Sequence, residues 1–355
     1  MVTYVFVLLM CCTLSYLAQW QQGCLQTGVA TGSNKRISKY YLIVVGILLI
    51  LAMFRADTVG GDLVNYTKSF KNIRSGMTEN YEPAYIALQF LVSRVTGNFN
   101  IFMAICSILT ITPILYIIYH KYDKYLWLGI LAFVPHYMVS FSAIRVSLAL
   151  VCLLVAFHTI NDSKRRLAFW AFALLAILFH YTSLVVVVAF LIFNRKYSYY
   201  WYVMAALAFC FLFFAGDLVY SILTPFSKRF QQYSDFQGVY APVNILFYGA
   251  MTVLSYIYYK PLTMSDSRNI ILINMMIFML GFNVACVWAP VYGRVVQMFN
   301  LFAIFLVPEI IKCEKKKKTH ILYQIAFAVF YIYIFINTLL VNSSGIVPYR
   351  FLWGE

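Results

Sequence analysis

Charge is scarce in this chain, and negative charge above all. Only 11% of the 355 residues are charged, and 12 acidic residues stand against 27 lysines and arginines. Hydrophobic residues make up 63% of the sequence, far more than a soluble globular fold uses. A soluble fold is therefore excluded.

Several motifs that would signal other chemistries are also missing. The eight cysteines form no CxxC pair, no metal-ligand spacing and no disulfide framework. No dinucleotide-binding motif and no P-loop is present. We therefore expect no metal and no cofactor.

The net charge of +15 is of a size found in nucleic-acid-binding proteins. Its distribution does not fit that class, because the lysines and arginines lie mostly in short loops between apolar runs. We therefore expect a lipid bilayer, and no nucleic acid, as the partner of this chain.

Long apolar runs are what the chain has in abundance, and each is suited to crossing the hydrocarbon layer of about 30 Å. They predict an all-α polytopic membrane protein, a single integral membrane domain over residues 1–355 with about 12 transmembrane helices. The predicted spans are Val2–Ala18, Tyr40–Phe54, Phe99–Tyr119, Tyr125–Phe141, Ser142–Ile160, Leu167–Phe179, Tyr181–Phe193, Tyr199–Leu223, Pro242–Tyr259, Asn269–Ala289, Val291–Ile311 and His320–Val341. Pro83–Val95 is too short to cross and predicts an interfacial or re-entrant helix.

The basic residues also predict the orientation. When successive loops are assigned to alternating sides, 17 of the 27 basic residues fall on one side and 10 on the other. Short loops rich in lysine and arginine face the cytoplasm. This rule predicts that both termini are extracytoplasmic, with extracytoplasmic loops at 55–82 and 224–241.

The segment 55–82 is the most polar part of the chain. It opens with Arg55 and carries four acids, and Gly60-Gly61 predict a flexible joint just before one of them. The acids are Asp57, Asp62, Glu79 and Glu82. We expect this segment to hold part of a functional site at the outer surface of the membrane.

Three arginines are expected at the same outer depth, namely Arg55, Arg145 and Arg294. An arginine one turn inside the hydrocarbon costs about 2.5–3.5 kcal/mol unless it snorkels or finds a partner. Gln297 follows Arg294 on the same helix face, and His180 lies at an outer junction between two spans. The alternatives are that the arginines are interfacial anchors or pair internally with carboxylates, and that His180 is a packed, hydrogen-bonded residue.

Short motifs spread over nearly the whole chain carry a family resemblance. They are Phe54-Arg55, Gly61-Asp62 with Tyr66, Glu82-Pro83 with Tyr85, Ile144-Arg145, Phe179-His180 with Ser183, Arg294 after a tyrosine-containing turn, and Pro348-Tyr349. In this order they resemble the EpsG-like family of polysaccharide polymerases. Two departures are Gly61, where the family more often has a hydroxyl residue, and Val146, where a polar residue is common.

The resemblance implies a GT-C-like glycosyltransferase of the bacterial inner (cytoplasmic) membrane that polymerises O-antigen, capsule or exopolysaccharide repeat units. Its substrates would be oligosaccharides carried on undecaprenyl diphosphate at the outer face. A flippase and a chain-length regulator of the same pathway are the expected partners. No cofactor is implied.

The resemblance also suggests roles for the candidate residues. Arg55, Arg145 and Arg294 would clamp the diphosphate, because a guanidinium binds phosphate oxygens bidentately and keeps its charge. Asp62 or His180 would be the catalytic base that takes a proton from the acceptor hydroxyl. The residues expected to line a groove for sugar are Tyr66, Glu82 and Gln297.

A flippase for the same lipid-linked oligosaccharide is the alternative function. It would also need basic residues, but along a central cavity with access to both leaflets. The predicted clustering of the arginines on the outer side favours the polymerase.

Overall fold

The computed structural model describes residues 1–27, 37–122, 124–223, 242–285, 293–342 and 344–353. Within these ranges the regular structure is helical, apart from an isolated β-bridge between Arg55 and Phe351. The predicted outer loop 224–241 lies outside the described residues.

The helices follow the apolar runs of the sequence. They are α1 (Val2–Thr27), α2 (Lys39–Met53), α3 (Leu63–Arg74), α4 (Pro83–Val95), α5 (Phe99–Tyr122), α6 (Leu126–Val139), α7 (Ile144–Thr159), α8 (Arg166–Phe179), α9 (Ser183–Phe193), α10 (Tyr199–Leu223), α11 (Pro242–Ile257), α12 (Tyr259–Ser265), α13 (Asn269–Ala285), α14 (Gly293–Cys313) and α15 (Lys317–Val341). A 3₁₀ turn, Ser163–Arg165, precedes α8.

Four helical segments in the described part of the chain are long and apolar enough to cross a membrane. They are Val2–Gln22, Phe99–Tyr122, Val296–Cys313 and Lys317–Val341, and shorter apolar helices of 10–17 residues accompany them. The prediction of an all-helical, membrane-embedded protein is confirmed. The count of about 12 spans and the GT-C-like arrangement stay predictions.

The chain divides into two compact units. The first comprises Met1–Leu154, Leu174–Tyr181 and Lys316–Glu355, and the second comprises Val155–Ala173 and Thr182–Lys315. The single membrane domain stays a prediction.

The polar segment 55–82 is not a loop throughout, because it contains the amphipathic helix α3. Leu63, Tyr66, Phe70 and Ile73 are buried at spacings of three and four residues, which places them on one face. That face packs against α4, where the Ser69 hydroxyl donates to Gln89 Oε1 over 2.8 Å. The helix therefore fixes the position of the residues that flank it.

The start of the polar segment pairs with the C-terminal end of the chain. Ala56 N–H donates to the carbonyl of Arg350 over 2.9 Å, and Gly60 N–H donates to that of Gly345 over 2.9 Å. Gly60 has φ 129°, and a Cβ there would lie 2.5 Å from the carbonyl oxygen of Phe141. The predicted flexible joint is thus a closely packed, hydrogen-bonded turn that requires glycine.

Candidate functional site

Three polar side chains of the first unit meet at Glu82. Glu82 is the residue before α4, and only 6% of its side chain is exposed. Its Oε2 accepts a hydrogen bond from Nη1 of Arg145, which lies in the first turn of α7. Its Oε1 lies 2.9 Å from Nδ1 of His180, which follows α8. One carboxylate therefore holds both a cation and an imidazole.

The charge of Glu82 sets the tautomer of His180. Burial raises the pKa of the Glu82 carboxyl, but hydrogen bonds from His180 and Arg145 and the charge of Arg145 outweigh it and lower the pKa to about 2. An ionised carboxylate can only accept hydrogen bonds, so Nδ1 of His180 is the donor. In the neutral ring, Nε2 then carries a free lone pair. No described residue hydrogen-bonds to Nε2.

Two tyrosine rings orient the guanidinium of Arg145. Its Nε donates to the Tyr66 hydroxyl over 3.3 Å, and its central carbon lies 4.7 Å from the ring centroid of Tyr81. Burial raises the pKa of Tyr66 to about 12, so its hydroxyl stays protonated at neutral pH. The Arg145 side chain is 23% exposed, and its Nη2 donates to no described residue. These free N–H groups can bind an anionic ligand.

Arg55 has a different environment from the one that its predicted role requires. It is 2% exposed, and its guanidinium donates to the carbonyls of Ala52 and Phe141. It lies 4.7 Å from the ring centroid of Phe141. Burial lowers the pKa of Arg55 to about 10, which leaves it charged at neutral pH.

The cavity that Arg55 lines is too small for a diphosphate. Its volume is about 10 Å³, room for one water molecule at most. Hydroxyls surround it, from Ser107, Thr110, Ser140 and Ser147. The burial of Arg55 therefore argues against its place in the predicted clamp and favours a structural role.

Asp62 forms no ion pair with Arg55 or Arg145, the two predicted clamp arginines of the first unit. It is exposed, it precedes α3, and its carboxylate makes no ion pair with Arg55 or with any other described residue. Its backbone N–H donates to the Ser142 hydroxyl over 3.3 Å. The role of Asp62 as a base stays a prediction.

Arg294 and Gln297 belong to α14 of the second unit. Gln297 is half-buried, and the side chain of Arg294 lies outside the described part of the chain. Their roles as clamp and groove residues stay predictions. Within the described residues, no group of three or more His, Cys, Asp or Glu side chains could hold a metal ion.

Sequence reasoning named Glu82 as a groove residue and missed its central position. It also missed Tyr81, which packs on Arg145. The sequence does show that Glu82 directly precedes a helix that begins at Pro83, but no local pattern shows its contacts with Arg145 and His180.

The chain was compared with known proteins. The model of the EpsG family matches residues 38–351, a range that includes Glu82, Arg145 and His180. No curated protein and no solved structure matches the chain.

Proposed function

The chain belongs to the EpsG family, and we propose that it is a polysaccharide repeat-unit polymerase. In this proposal it is a membrane glycosyltransferase that joins oligosaccharides carried on undecaprenyl diphosphate, in O-antigen, capsule or exopolysaccharide biosynthesis. Family membership and the membrane-embedded helices support it, because the substrate is itself held in the membrane.

The observation that carries the proposed chemistry is the contact of 2.9 Å between Glu82 Oε1 and His180 Nδ1. It leaves Nε2 of His180 free to take the proton of an acceptor hydroxyl. As that proton leaves, the hydroxyl oxygen bonds to the anomeric carbon of the donor sugar. The bond from this carbon to the lipid diphosphate breaks, and the diphosphate takes the electron pair. Glu82 stabilises the imidazolium that forms, as the carboxylate of a catalytic triad does.

Arg145 supplies positive charge for the leaving diphosphate. Its guanidinium stays charged and has free Nη2 donors, so it can stabilise the charge that develops as the bond breaks. Arg294 stays the proposed second member of this clamp. Tyr81, which is half-buried and packs against the buried ring of Tyr66, offers a surface on which a sugar ring can pack.

In this proposal the site lies at the outer face of the inner membrane. The basic loops predict this orientation, because they place the lysine-rich segment 312–318 in the cytoplasm. Single cysteines in place of Lys71 and Lys315, which are both exposed, test this orientation. Position 71 should react only with a reagent added outside, and position 315 only with one added to the cytoplasm. The reverse pattern would place the site on the wrong side for this substrate.

The activity itself is tested with the purified full chain in lipid nanodiscs. Addition of an undecaprenyl-diphosphate-linked repeat unit should give a ladder of longer glycans. The alternative function is a flippase, which would give no ladder but would move the labelled lipid between leaflets in vesicles.

A further inference from the structure

A large cleft opens in the second unit and has no part in the proposed chemistry. Its volume is about 670 Å³. It is formed by the connection between α9 and α10, the end of α11 and the short helix α12. Lysines, a serine and tyrosines give it a polar wall, including Lys196, Ser198, Tyr202, Tyr259 and Lys260.

The cleft is positively charged. Lys196 and Lys260 both line it, and none of the described residues that line it is acidic. Neither lysine forms an ion pair within the described residues, and Nζ of Lys196 lies 5.7 Å from the ring centroid of Tyr259. Two free ammonium groups beside tyrosine hydroxyls are suited to binding a phosphate group.

An apolar groove of about 270 Å³ continues from this cleft. Tyr202 and Tyr256 line both spaces, with ring centroids 6.4 Å apart. Beyond them the groove runs between α10, α11 and α13 and is lined mostly by aliphatic side chains: Val203, Ala206, Val253, Ile273 and Ile277. Its wall is therefore suited to a hydrocarbon chain.

The junction between the two spaces is held firmly. The Tyr202 hydroxyl donates to Oδ1 of Asn274 over 3.0 Å. The Asn274 amide in turn donates to the carbonyls of Phe193 and Arg195 over 2.9 and 3.0 Å. These hydrogen bonds link α10 and α13 to the connection that carries Lys196. They therefore fix the position of the charged cleft relative to the apolar groove.

We propose that this combined cleft and groove binds one anionic phospholipid. The headgroup phosphate contacts Lys196 and Lys260, and an acyl chain occupies the groove beyond Tyr202. A free phosphate has no hydrocarbon chain to fill the apolar groove. A headgroup with no net charge would not neutralise the two lysines. The sequence places these lysines on the predicted cytoplasmic side, where basic pockets between membrane helices bind anionic headgroups.

The headgroup contact is tested by measuring lipid binding to the purified full chain in detergent by native mass spectrometry. Phosphatidylglycerol should bind more tightly than phosphatidylcholine, and inorganic phosphate should not compete. Lys196→Gln with Lys260→Gln should lower the phosphatidylglycerol affinity about 10- to 30-fold. The matched pair Lys124→Gln with Lys164→Gln removes the same charge from exposed positions outside the cleft and should change it less than about twofold.

The acyl-chain contact is tested separately at α10. Ala206→Trp fills the groove and should reduce phosphatidylglycerol binding, whereas Ala208→Trp adds the same bulk at an exposed position outside the groove and should not. If the two lysine pairs lose phosphatidylglycerol affinity equally, the proposal is wrong. It is also wrong if phosphatidylcholine binds as tightly as phosphatidylglycerol, or if inorganic phosphate displaces the lipid. If the double lysine variant fails to fold, equal binding by the two alanine variants would still overturn it.

Discussion

Nδ1 of His180 lies 2.9 Å from Oε1 of Glu82, although 98 residues separate the two along the chain. The other oxygen of the same carboxylate accepts from Arg145. The two oxygens of the nearly buried Glu82 carboxylate therefore hold the imidazole of His180 and the guanidinium of Arg145 close to each other. A base and an anion-binding group held this close together are what a glycosyl transfer from a lipid diphosphate needs.

Glu82→Gln should lower polymerase activity about 10²- to 10⁴-fold per folded protein. The amide leaves Arg145 without a counter-charge and no longer fixes Nδ1 of His180 as the donor. Glu79→Gln is the matched control, since Glu79 lies in the same segment and contacts Asn72 over 2.5 Å. The control should change activity little, and equal losses would show that the site does not depend on Glu82 in particular.

Wild type and Glu82→Gln should also differ in how pH affects their stability. Folding lowers the pKa of Glu82 from 4.5 to about 2, so its ionised form stabilises the folded chain. That contribution is present above about pH 4.5 and is lost as the pH falls from about 4.5 to about 2. Melting temperatures measured in detergent should therefore converge for wild type and Glu82→Gln over this range, while a constant difference would contradict the assignment.

Arg145→Lys should reduce activity tenfold or more while leaving protein abundance near normal. Lysine keeps the charge but has no planar fork, so it cannot contact Glu82, the Tyr66 hydroxyl and a phosphate together. Arg94→Lys is the control, because Arg94 is exposed, stacks on Phe90 and forms no ion pair with any described residue. Glycan ladders normalised to purified protein give the comparison, and normal polymer from Arg145→Lys would exclude a bidentate role.

Arg55→Lys should act on stability rather than on turnover. Lysine has a single nitrogen in place of Nη1 and Nη2, which donate separately to the carbonyls of Ala52 and Phe141, so we expect one carbonyl to lose its partner. A buried donor or acceptor left unpaired costs about 1–3 kcal/mol. The melting temperature should fall by several degrees, with near-normal activity per folded molecule. Arg350→Lys, at an exposed position of the paired C-terminal segment, should change neither. An unchanged melting temperature with lost activity would support the predicted role of Arg55 in binding the diphosphate.

Gly60→Ala should destabilise the chain more than Gly76→Ala. Both glycines have positive φ, 129° and 84°, so both substitutions cost about 1–3 kcal/mol of backbone strain. Only at Gly60 does the new Cβ also meet a backbone atom, the Phe141 oxygen at 2.5 Å, whereas nothing lies within 4 Å at Gly76. Equal melting temperatures for the two variants would show that the turn is loosely packed.

Much of the fold could be predicted from sequence because its signals are local. Apolar runs predict helices wherever they occur, and Pro83 fixed the start of Pro83–Val95, whose bounds the structure reproduces. Helix α3 was missed although its buried residues repeat at helical spacing, since the surrounding polarity suggested a loop. The segment after α2 pairs with the C-terminal end of the chain through backbone hydrogen bonds. Every residue type can form such bonds, so the sequence contains no pattern that predicts them.

The candidate site was predictable in its residue types and not in its pairings. The chain order shows four acids near Arg55, and nothing local shows that Glu82 contacts Arg145 and His180 instead. Pairing of the arginines with carboxylates was one alternative, but Arg55 donates hydrogen bonds to backbone carbonyls and lies against the Phe141 ring. Such partners are contributed by any residue type, so a sequence pattern cannot identify them.

The central claim is that His180, held by Glu82, takes the proton of the acceptor hydroxyl. The most direct test is glycan ladder formation by purified wild type, His180→Gln and Asp62→Asn, each given the same undecaprenyl-diphosphate-linked repeat unit and each shown to bind it. Wild type and Asp62→Asn should both give a ladder, and His180→Gln should lose activity about 10²- to 10⁴-fold with substrate binding intact. A full ladder from His180→Gln, with none from Asp62→Asn, would exclude His180 as the base and make Asp62 the base instead.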